Sequence, residues 1–327
     1  MLSNLGLSRD AGEQQALRRR GQMEILTKLV PIAMVAFVLS SMLSMGLGLT
    51  VGQILVPLRN YKLIALALLA NFVLMPLAAF SIARLLRLDQ PLGIALLLLG
   101  TAPGAPFLPL LARISKGNLA FAVGLTVLLM VLTVGYMPLV LPLMLEGVSV
   151  DPVKIGSSLV FLMLLPLATG LLTRARWREL AANLHPSLSR LSILSLGLLI
   201  VLLLITNMQN VLSLYGTRGV LASVLFIAAG SGIGWVLGGP QSTDRGVMAL
   251  GTAQRNIAAA LVVAGQNFKD PRVILMVVVV AIVGLLLLMP FARYLARLSQ
   301  PASDRSSEAS KLQSLEQSAP DGAGRGL

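Results

Sequence analysis

The chain has 327 residues, of which 56% are hydrophobic and only 12% are charged, with a formal net charge of +13. An average soluble domain has about 25% charged residues, so this composition excludes a water-soluble fold, and we expect no nucleic-acid partner for the positive charge. The chain has no cysteine and a single histidine, His185, which we predict to lie in a loop. Disulfides, thiolate or histidine metal sites and a bound cofactor are therefore not expected.

Long apolar stretches divide the chain into membrane spans. A transmembrane helix needs about 20 mostly apolar residues, and stretches rich in Leu, Val, Ala and Gly favour a helical bundle over a β-barrel. We predict an all-α polytopic membrane protein with about nine transmembrane helices, embedded in the lipid bilayer. The predicted spans are about 27–49, 61–83, 91–112, 118–145, 154–173, 191–213, 219–238, 247–266 and 272–296.

Polar segments flank this transmembrane domain of residues 27–297. Residues 1–26 include Arg18-Arg19-Arg20; we predict a surface segment rather than a signal peptide, because the apolar run that follows is far longer than a signal-peptide core. Residues 298–327 are rich in Ser, Gln, Ala, Gly and Pro, a composition typical of a disordered tail.

Basic residues in the connections indicate the orientation of the spans. With the C-terminus inside, the inside segments hold fourteen Lys and Arg residues and the outside segments hold eleven. Since cytoplasmic loops carry an excess of Lys and Arg, we predict a cytoplasmic C-terminus.

The third span is interrupted. It contains Thr101, Pro103, Gly104, Pro106 and Pro109 within nine residues. Proline removes a backbone donor and clashes with the preceding turn, so we predict a helix break at the three prolines and Gly104, with Thr101 as a candidate ligand beside it. Broken backbone at membrane depth is tolerated where it is buried in protein or lines a watery cavity. A kinked span without any ligand is the alternative.

The eighth span contains the one charge predicted at membrane depth. All other basic residues and all 13 acidic residues lie in loops, span ends or tails, whereas Arg255 lies about nine residues into the span. Charges at this depth usually line substrate or ion pathways, so we predict a binding site at Thr252, Gln254, Arg255 and Asn256, with a second break at Gly251. Alternatively, Arg255 snorkels or bonds freed carbonyls. Because no carboxylate lies at this depth, a bound anion is one way to balance the charge.

The two interrupted spans occupy corresponding positions, since each is the last but one of its half. Such a pair indicates an inverted-repeat transporter whose binding site lies between the broken helices. We therefore predict an inverted repeat with two discontinuous helices, and with one helix fewer in the first half than in the second.

At these residues the chain resembles the bile acid:sodium symporter family. The stretch Ala70–Pro76 (ANFVLMP), the pair Pro103-Gly104 followed by Gly117-Asn118, and Gly251–Ala260 (GTAQRNIAAA) match its motifs in order and spacing, over roughly residues 27–297. The resemblance implies a panel of spans one, five and six and a core of the other six, in a bacterial inner membrane. It implies that the broken spans three and eight cross each other at the middle of the membrane. It also implies an organic anion as substrate, moved by alternating access with sodium in well-studied members.

The sodium-binding pattern of the family is incomplete in this sequence. Leu108 and Pro109 stand where relatives have a Ser-Asn pair, Ala122 replaces a serine, Gly251 a glutamate and Arg255 a glutamine; Asn71, Thr126 and Asn256 are kept. Apolar groups and a cation at these positions argue against sodium binding, and no metal ligand set is expected.

These departures predict a secondary transporter for a small organic anion in which the Arg255 guanidinium replaces the coupling cation. A sodium-coupled symporter of the same fold and a non-transporting membrane sensor remain as alternatives. An enzyme is not predicted, because the spans contain no His or carboxylate that could activate a nucleophile.

Overall fold

The computed structural model describes residues 26–55, 60–145, 151–206 and 218–298, and all regular elements in these ranges are helices. Eight stretches in them are long and apolar enough to cross a membrane, and the shorter apolar helix Gln90–Gly100 belongs to the remaining predicted span. The prediction of an all-α polytopic membrane protein is confirmed. The polar segment 1–25 and the tail 299–327 lie outside the described residues.

We number the helices in chain order. They are α1 (Leu26–Gly48), α2 (Val51–Leu55), α3 (Tyr61–Leu85), α4 (Gln90–Gly100), α5 (Leu108–Ile114), α6 (Leu119–Met144), α7 (Pro152–Arg176), α8 (Arg178–Thr206), α9 (Gly219–Leu237), α10 (Ser242–Ala253), α11 (Ile257–Asn267) and α12 (Pro271–Leu298).

Six of the described helices begin at a side chain that accepts a hydrogen bond from a backbone N–H of the first turn, and α3, α6, α7 and α11 are four of them. Asn60 caps α3, Asn118 caps α6, Asp151 caps α7 and Asn256 caps α11. The first N–H groups of a helix have no partner within it, and Asn and Asp side chains satisfy them well. These caps therefore fix where the four helices begin.

The helices α1, α7 and α8 form the panel. The helices α1 and α7 are in backbone contact, since a Cβ placed on Gly46 would lie 2.9 Å from the Gly170 Cα. The side chain of His185 in α8 lies against Gly48 of α1, and the Ser44 hydroxyl lies 3.5 Å from the His185 carbonyl oxygen.

The core consists of two groups of three spans, α3 to α6 and α9 to α12. The helix α9 packs against α3, α10 and α12, and α12 in turn packs against α4 and α5. The groups are thereby interleaved, as the predicted inverted repeat requires. Panel and core meet where α7 packs on α11 and on α6. The short helix α2, which follows α1 in the chain, also packs on α6.

The sixth span differs from its prediction. The helix α8 begins at Arg178 rather than near 191, and it is separated from α7 by Trp177 alone. His185 consequently lies inside a helix, so its predicted position in a loop was wrong. Hydropathy marks the apolar part of a helix, whereas backbone hydrogen bonding continues through the polar but helix-compatible residues before it. The predicted end of this span, 207–213, lies outside the described residues.

Candidate functional site

The first broken span separates into α4 and α5. The helix α4 ends at Gly100, residues 101–107 are not helical and α5 begins at Leu108. Pro103, Gly104 and Pro106 lie in this break as predicted. Pro109 does not, because it occupies the first turn of α5, where proline is tolerated since the missing N–H would have had no helical partner.

The second broken span separates into α10 and α11. The helix α10 ends at Ala253, Gln254 has an extended backbone with φ −85° and ψ 131°, and α11 begins at Ile257 after its cap, Asn256. Gly251 was predicted as the break but lies within α10. A glycine lowers helix stability without ending the helix, and the chain leaves the helical conformation only at Gln254.

The two breaks contact each other directly. The backbone N–H of Asn256 donates a hydrogen bond of 2.8 Å to the Ala102 carbonyl oxygen. Thr101, Ala102, Thr252 and Asn256 are all fully buried. The discontinuous helices therefore cross at their breaks, and the crossing is enclosed by protein.

Arg255 lies at this crossing with 2% of its surface exposed. All five guanidinium N–H groups have an oxygen acceptor: Nε to the Leu99 carbonyl at 2.8 Å, Nη1 to Asn71 Oδ1 at 2.8 Å and to the Thr252 carbonyl at 3.1 Å, and Nη2 to the Gly100 carbonyl at 2.6 Å and to the Asn71 carbonyl at 3.5 Å. None of these acceptors is a carboxylate. This geometry is the one expected from the alternative interpretation of the sequence, in which Arg255 bonds carbonyls freed by the helix break.

The acceptors of Arg255 come from two helix ends. Leu99 and Gly100 belong to the last turn of α4, and Thr252 belongs to the last turn of α10. The last four carbonyls of a helix lack partners within it, and the C-terminal end carries partial negative charge. Two such ends converge on Arg255, so the crossing favours a cation at this point.

Asn71 connects α3 to the crossing. It is fully buried and lies in a π-helical turn, Ala70–Leu74. Its Oδ1 accepts from Arg255, while its Nδ2 donates to the Ala67 carbonyl at 3.0 Å and to Thr252 Oγ1 at 3.3 Å. The structure therefore brings the predicted residues Asn71, Thr252 and Arg255 together.

Asn256 connects the crossing to the panel. Its Oδ1 accepts from the Ala259 N–H, and its Nδ2 lies 3.4 Å from the Met163 Sδ of α7. A thioether is a weak acceptor, so this donor is the least well satisfied at the crossing. Met163 was not predicted; it lies in the second π-helical turn, Val160–Leu164, and the following Pro166 was the available signal.

The remaining predicted residues have other partners. The Thr101 hydroxyl donates to the Leu97 carbonyl of the preceding helix α4, and the Thr126 hydroxyl donates to the Ala122 carbonyl within α6. Neither hydroxyl contacts Arg255. The Gln254 Oε1 is buried and has no hydrogen-bond donor in the part of the chain that the structure describes.

Leu108 of α5 packs against Gly251 of α10. A Cβ placed on Gly251 would lie 2.8 Å from the Leu108 Cδ2, and Leu108 is 1% exposed. The absence of a side chain at Gly251 therefore makes room for the Leu108 side chain. This apolar pair occupies the two positions at which the resemblance had placed a glutamate and a serine.

Comparison with known sequences agrees with this architecture. The Sodium Bile acid symporter family matches residues 25–214, more than half of the chain. The chain is 26% identical over 236 residues to a probable chloroplastic sodium/metabolite cotransporter of Arabidopsis thaliana, which covers 71% of this chain and 58% of the relative.

Two further relatives extend the comparison. The chain is 26% identical over 202 residues to an uncharacterized sodium-dependent transporter of Bacillus subtilis, covering 60% of each, and 29% identical over 156 residues to the hepatic sodium/bile acid cotransporter of Rattus norvegicus, covering 46% and 43%. The chain thus spans at most about 60% of the length of these relatives. Their names describe transporters and not enzymes. From the family match and the crossed, broken helices, we conclude that this chain belongs to the sodium bile acid symporter family.

Proposed function

We propose that this protein is a secondary transporter that moves a small organic anion across the cell membrane by alternating access, without sodium coupling. Its family and the names of its relatives support transport. The observation that carries the absence of sodium coupling is the position of Arg255, whose guanidinium donates to five oxygen acceptors at the helix crossing.

Arg255 provides there what a coupling cation would provide. In broken-helix transporters, unwound carbonyls and half-helix C-terminal ends coordinate the coupling ion. Here the carbonyls of Leu99, Gly100 and Thr252 already accept from the guanidinium. A sodium ion at this point would lack those ligands and would be repelled by a positive charge a few ångströms away.

The contact between Leu108 and Gly251 supports the same conclusion. The resemblance to the family implies oxygen-bearing side chains at both positions, whereas here a leucine side chain fills the space beside a glycine. Sodium is a hard cation that prefers oxygen ligands, and an apolar contact supplies none.

The anion would bind beside Asn256, between core and panel. The Asn256 Nδ2 has only the Met163 sulfur as acceptor, at 3.4 Å, and a carboxylate or sulfonate oxygen is a much stronger acceptor. The N-terminal end of α11 and the buried charge of Arg255 both favour an anion at this place. Direct bonds from Arg255 are not required, since its donors are already in use.

We propose a bacterial inner membrane with the C-terminus in the cytoplasm. If the nine predicted spans alternate in direction, Arg174, Arg176 and Arg178 lie at the same end of the molecule as Arg293 and Arg297 of α12. This concentration of arginine is typical of the cytoplasmic end.

Uptake into proteoliposomes tests the proposed function. Labelled taurocholate and labelled pyruvate serve as a large and a small organic anion, with external sodium or choline. We expect the initial rate for a transported probe to differ by less than about twofold between the two cations, because no sodium site is predicted. Arg255→Gln should lower uptake at least about tenfold, because it removes the buried positive charge that favours an anion at the crossing. Arg113→Gln, at the exposed end of α5, should not. Steep dependence on sodium, or no uptake of either probe, would contradict the proposal.

A sodium-coupled symporter of the same fold is the second candidate. The Bacillus subtilis relative is described as sodium-dependent, and Asn71 and Asn256 of the family pattern are kept. This candidate predicts the opposite result in the same assay, since choline would abolish uptake.

A further inference from the structure

We infer that the protein exchanges organic anions of single negative charge, one inward for one outward, and does not carry them in one direction only. This inference rests on the proposed function and identifies its mode of coupling. The observation behind it is that Arg255 is a permanent charge of the crossing itself.

Neutral hydrogen-bond acceptors stabilise the charge of Arg255, but they do not neutralise it. Its acceptors are four backbone carbonyls and one amide oxygen, all of which are neutral. In the part of the chain that the structure describes, the buried acidic residue is Asp244, in the first turn of α10, where it accepts from Asn118 and not from Arg255. The crossing therefore carries a net charge of +1, because a guanidinium keeps its proton in proteins.

A covalently attached cation changes the transport cycle. In a sodium symporter the coupling ion dissociates with the cargo, so the empty carrier returns without it. The guanidinium of Arg255 cannot dissociate. Whenever the core moves across the membrane it carries this charge, with or without a substrate.

A bound monovalent anion neutralises the crossing. The loaded core then moves with no net charge, whereas the empty core moves a positive charge through a region of low dielectric constant and against the membrane potential in one direction. An uncompensated charge at the bilayer centre is costly, so the empty core should return slowly. Rapid turnover then requires a second anion for the return step, which is exchange.

The net charge of +1 at the crossing also predicts the charge of the substrate. A single negative charge balances Arg255, while a dianion would leave the crossing with net −1 and lose this advantage. Monocarboxylates and monosulfonates therefore fit best.

Counterflow in proteoliposomes tests this inference. Vesicles are loaded with unlabelled pyruvate or taurocholate, or with buffer alone, and uptake of the same labelled anion is measured without sodium. We expect loaded vesicles to take up label at least about tenfold faster than empty ones. We also expect a potassium diffusion potential of either sign to leave exchange unchanged. Equal rates in loaded and empty vesicles would overturn the inference.

Three variants connect the result to the charge. Arg255→Lys keeps the positive charge and should preserve the preference for loaded vesicles, even at a lower rate. Arg255→Gln removes the charge and, at its lower rate of uptake, should bring the ratio of loaded to empty uptake close to one. Arg113→Gln is the control for loss of a basic residue outside the crossing and should match the unmodified protein. A preference that persists in Arg255→Gln would overturn the role of Arg255.

The outcomes also separate this inference from the proposed function. Uptake that requires sodium, or no uptake of either anion, contradicts the proposed function. Uptake that is independent of sodium but equal in loaded and empty vesicles contradicts exchange alone.

Discussion

Gly104 allows the first broken span to turn beside α6. Its φ of +85° lies in the left-handed region, which side chains rarely adopt. A Cβ at this position would lie 2.5 Å from the Met130 backbone nitrogen and 2.9 Å from the Thr126 carbonyl oxygen. Both the backbone conformation and the available space therefore require glycine, and the crossing depends on it.

Gly104→Ala should destabilise the protein strongly. The strained φ alone costs on the order of 1–3 kcal/mol, and the clash with helix backbone adds to it, since backbone cannot move as a side-chain tip can. We expect a lower unfolding temperature in detergent and little transport.

Gly135→Ala is the matched control. Gly135 lies in α6, close in sequence to Met130, and no atom lies within 4 Å of a Cβ built on it. The variant should be neutral or stabilising by up to about 1 kcal/mol. Equal unfolding temperatures of the two variants would contradict the structural role of Gly104.

At the scale of residues, the buried charge of Arg255 could be predicted from the sequence, but its hydrogen-bond acceptors could not. Arg255 is identifiable because it is the one basic residue far from a span end. Its main acceptors are backbone carbonyls, which every residue possesses, so no side-chain pattern marks them. The contact of Leu108 with Gly251 depends on how two helices are rotated against each other, and this too is absent from the sequence pattern.

At the scale of elements, a proline shapes α3 where Asn71 meets Arg255. Pro76 follows the π-helical turn Ala70–Leu74 and has no N–H to donate. The Phe72 carbonyl instead accepts from the Tyr136 hydroxyl of α6, and the Asn71 carbonyl faces the Arg255 guanidinium at 3.5 Å. The wider turn thus directs carbonyls of α3 out of the helix, as π-bulges at functional sites do.

Tyr136→Phe should weaken this arrangement while keeping the aromatic packing. The two rings of Phe72 and Tyr136 lie edge to face at 4.6 Å, so only the hydroxyl donor is lost. A fully buried carbonyl left without a donor costs about 1–3 kcal/mol, and the Phe72 carbonyl is part-buried, so we expect a cost at the lower end of this range. We expect a lower unfolding temperature and reduced anion uptake, because the turn that holds Asn71 loses its support.

Tyr61→Phe removes a hydroxyl from the exposed start of α3 and serves as the control, with no expected change. If both tyrosine variants behave like the unmodified protein, the hydroxyl of Tyr136 has no role in holding the turn.

Elements were predicted well where they are apolar or contain several breakers. Pro103, Gly104 and Pro106 together ended α4, as expected from their density. Single prolines such as Pro76 and Pro166 are a weaker signal, because one proline in a long apolar span does not show whether the preceding turn is α-helical or π-helical. The start of α8 was missed because its first residues are polar.

At the scale of the whole molecule, the inverted repeat joins its two halves at both ends of the core. The start of α10 is tied to the start of α6, where Asn118 Nδ2 donates to the Asp244 carboxylate at 2.9 Å. The start of α12 is tied to the start of α4, where the Arg272 guanidinium lies 3.9 Å from the Asp89 carboxylate. Arg272 also bonds Asp270 at 2.8 Å and holds the pKa of that carboxyl below its usual value. Each tie therefore joins one repeat to the other.

The positions of the breaks predicted this repeat, but the ties were not predicted. Broken spans at matching places in both halves are visible in the sequence. The partners Asn118 and Asp244 are 126 positions apart, and polar residues at span ends are too common to be paired by type alone.

The two ties should differ in strength, and double-mutant cycles can measure both. Asp244 is 7% exposed and its bond to Asn118 is short, whereas the Arg272 and Asp89 side chains are 37% and 55% exposed and 3.9 Å apart. A buried bond to a charged group contributes about 1.5–3 kcal/mol, while exposed ion pairs contribute about 0.2–1 kcal/mol.

Asn118→Ala also removes the cap of α6, but that loss occurs in the single and the double variant and cancels in the cycle. We expect clear coupling in unfolding free energy between Asn118→Ala and Asp244→Ala, and near-additive effects for Asp89→Ala and Arg272→Ala. Equal coupling at both ends would show that burial does not distinguish the two ties.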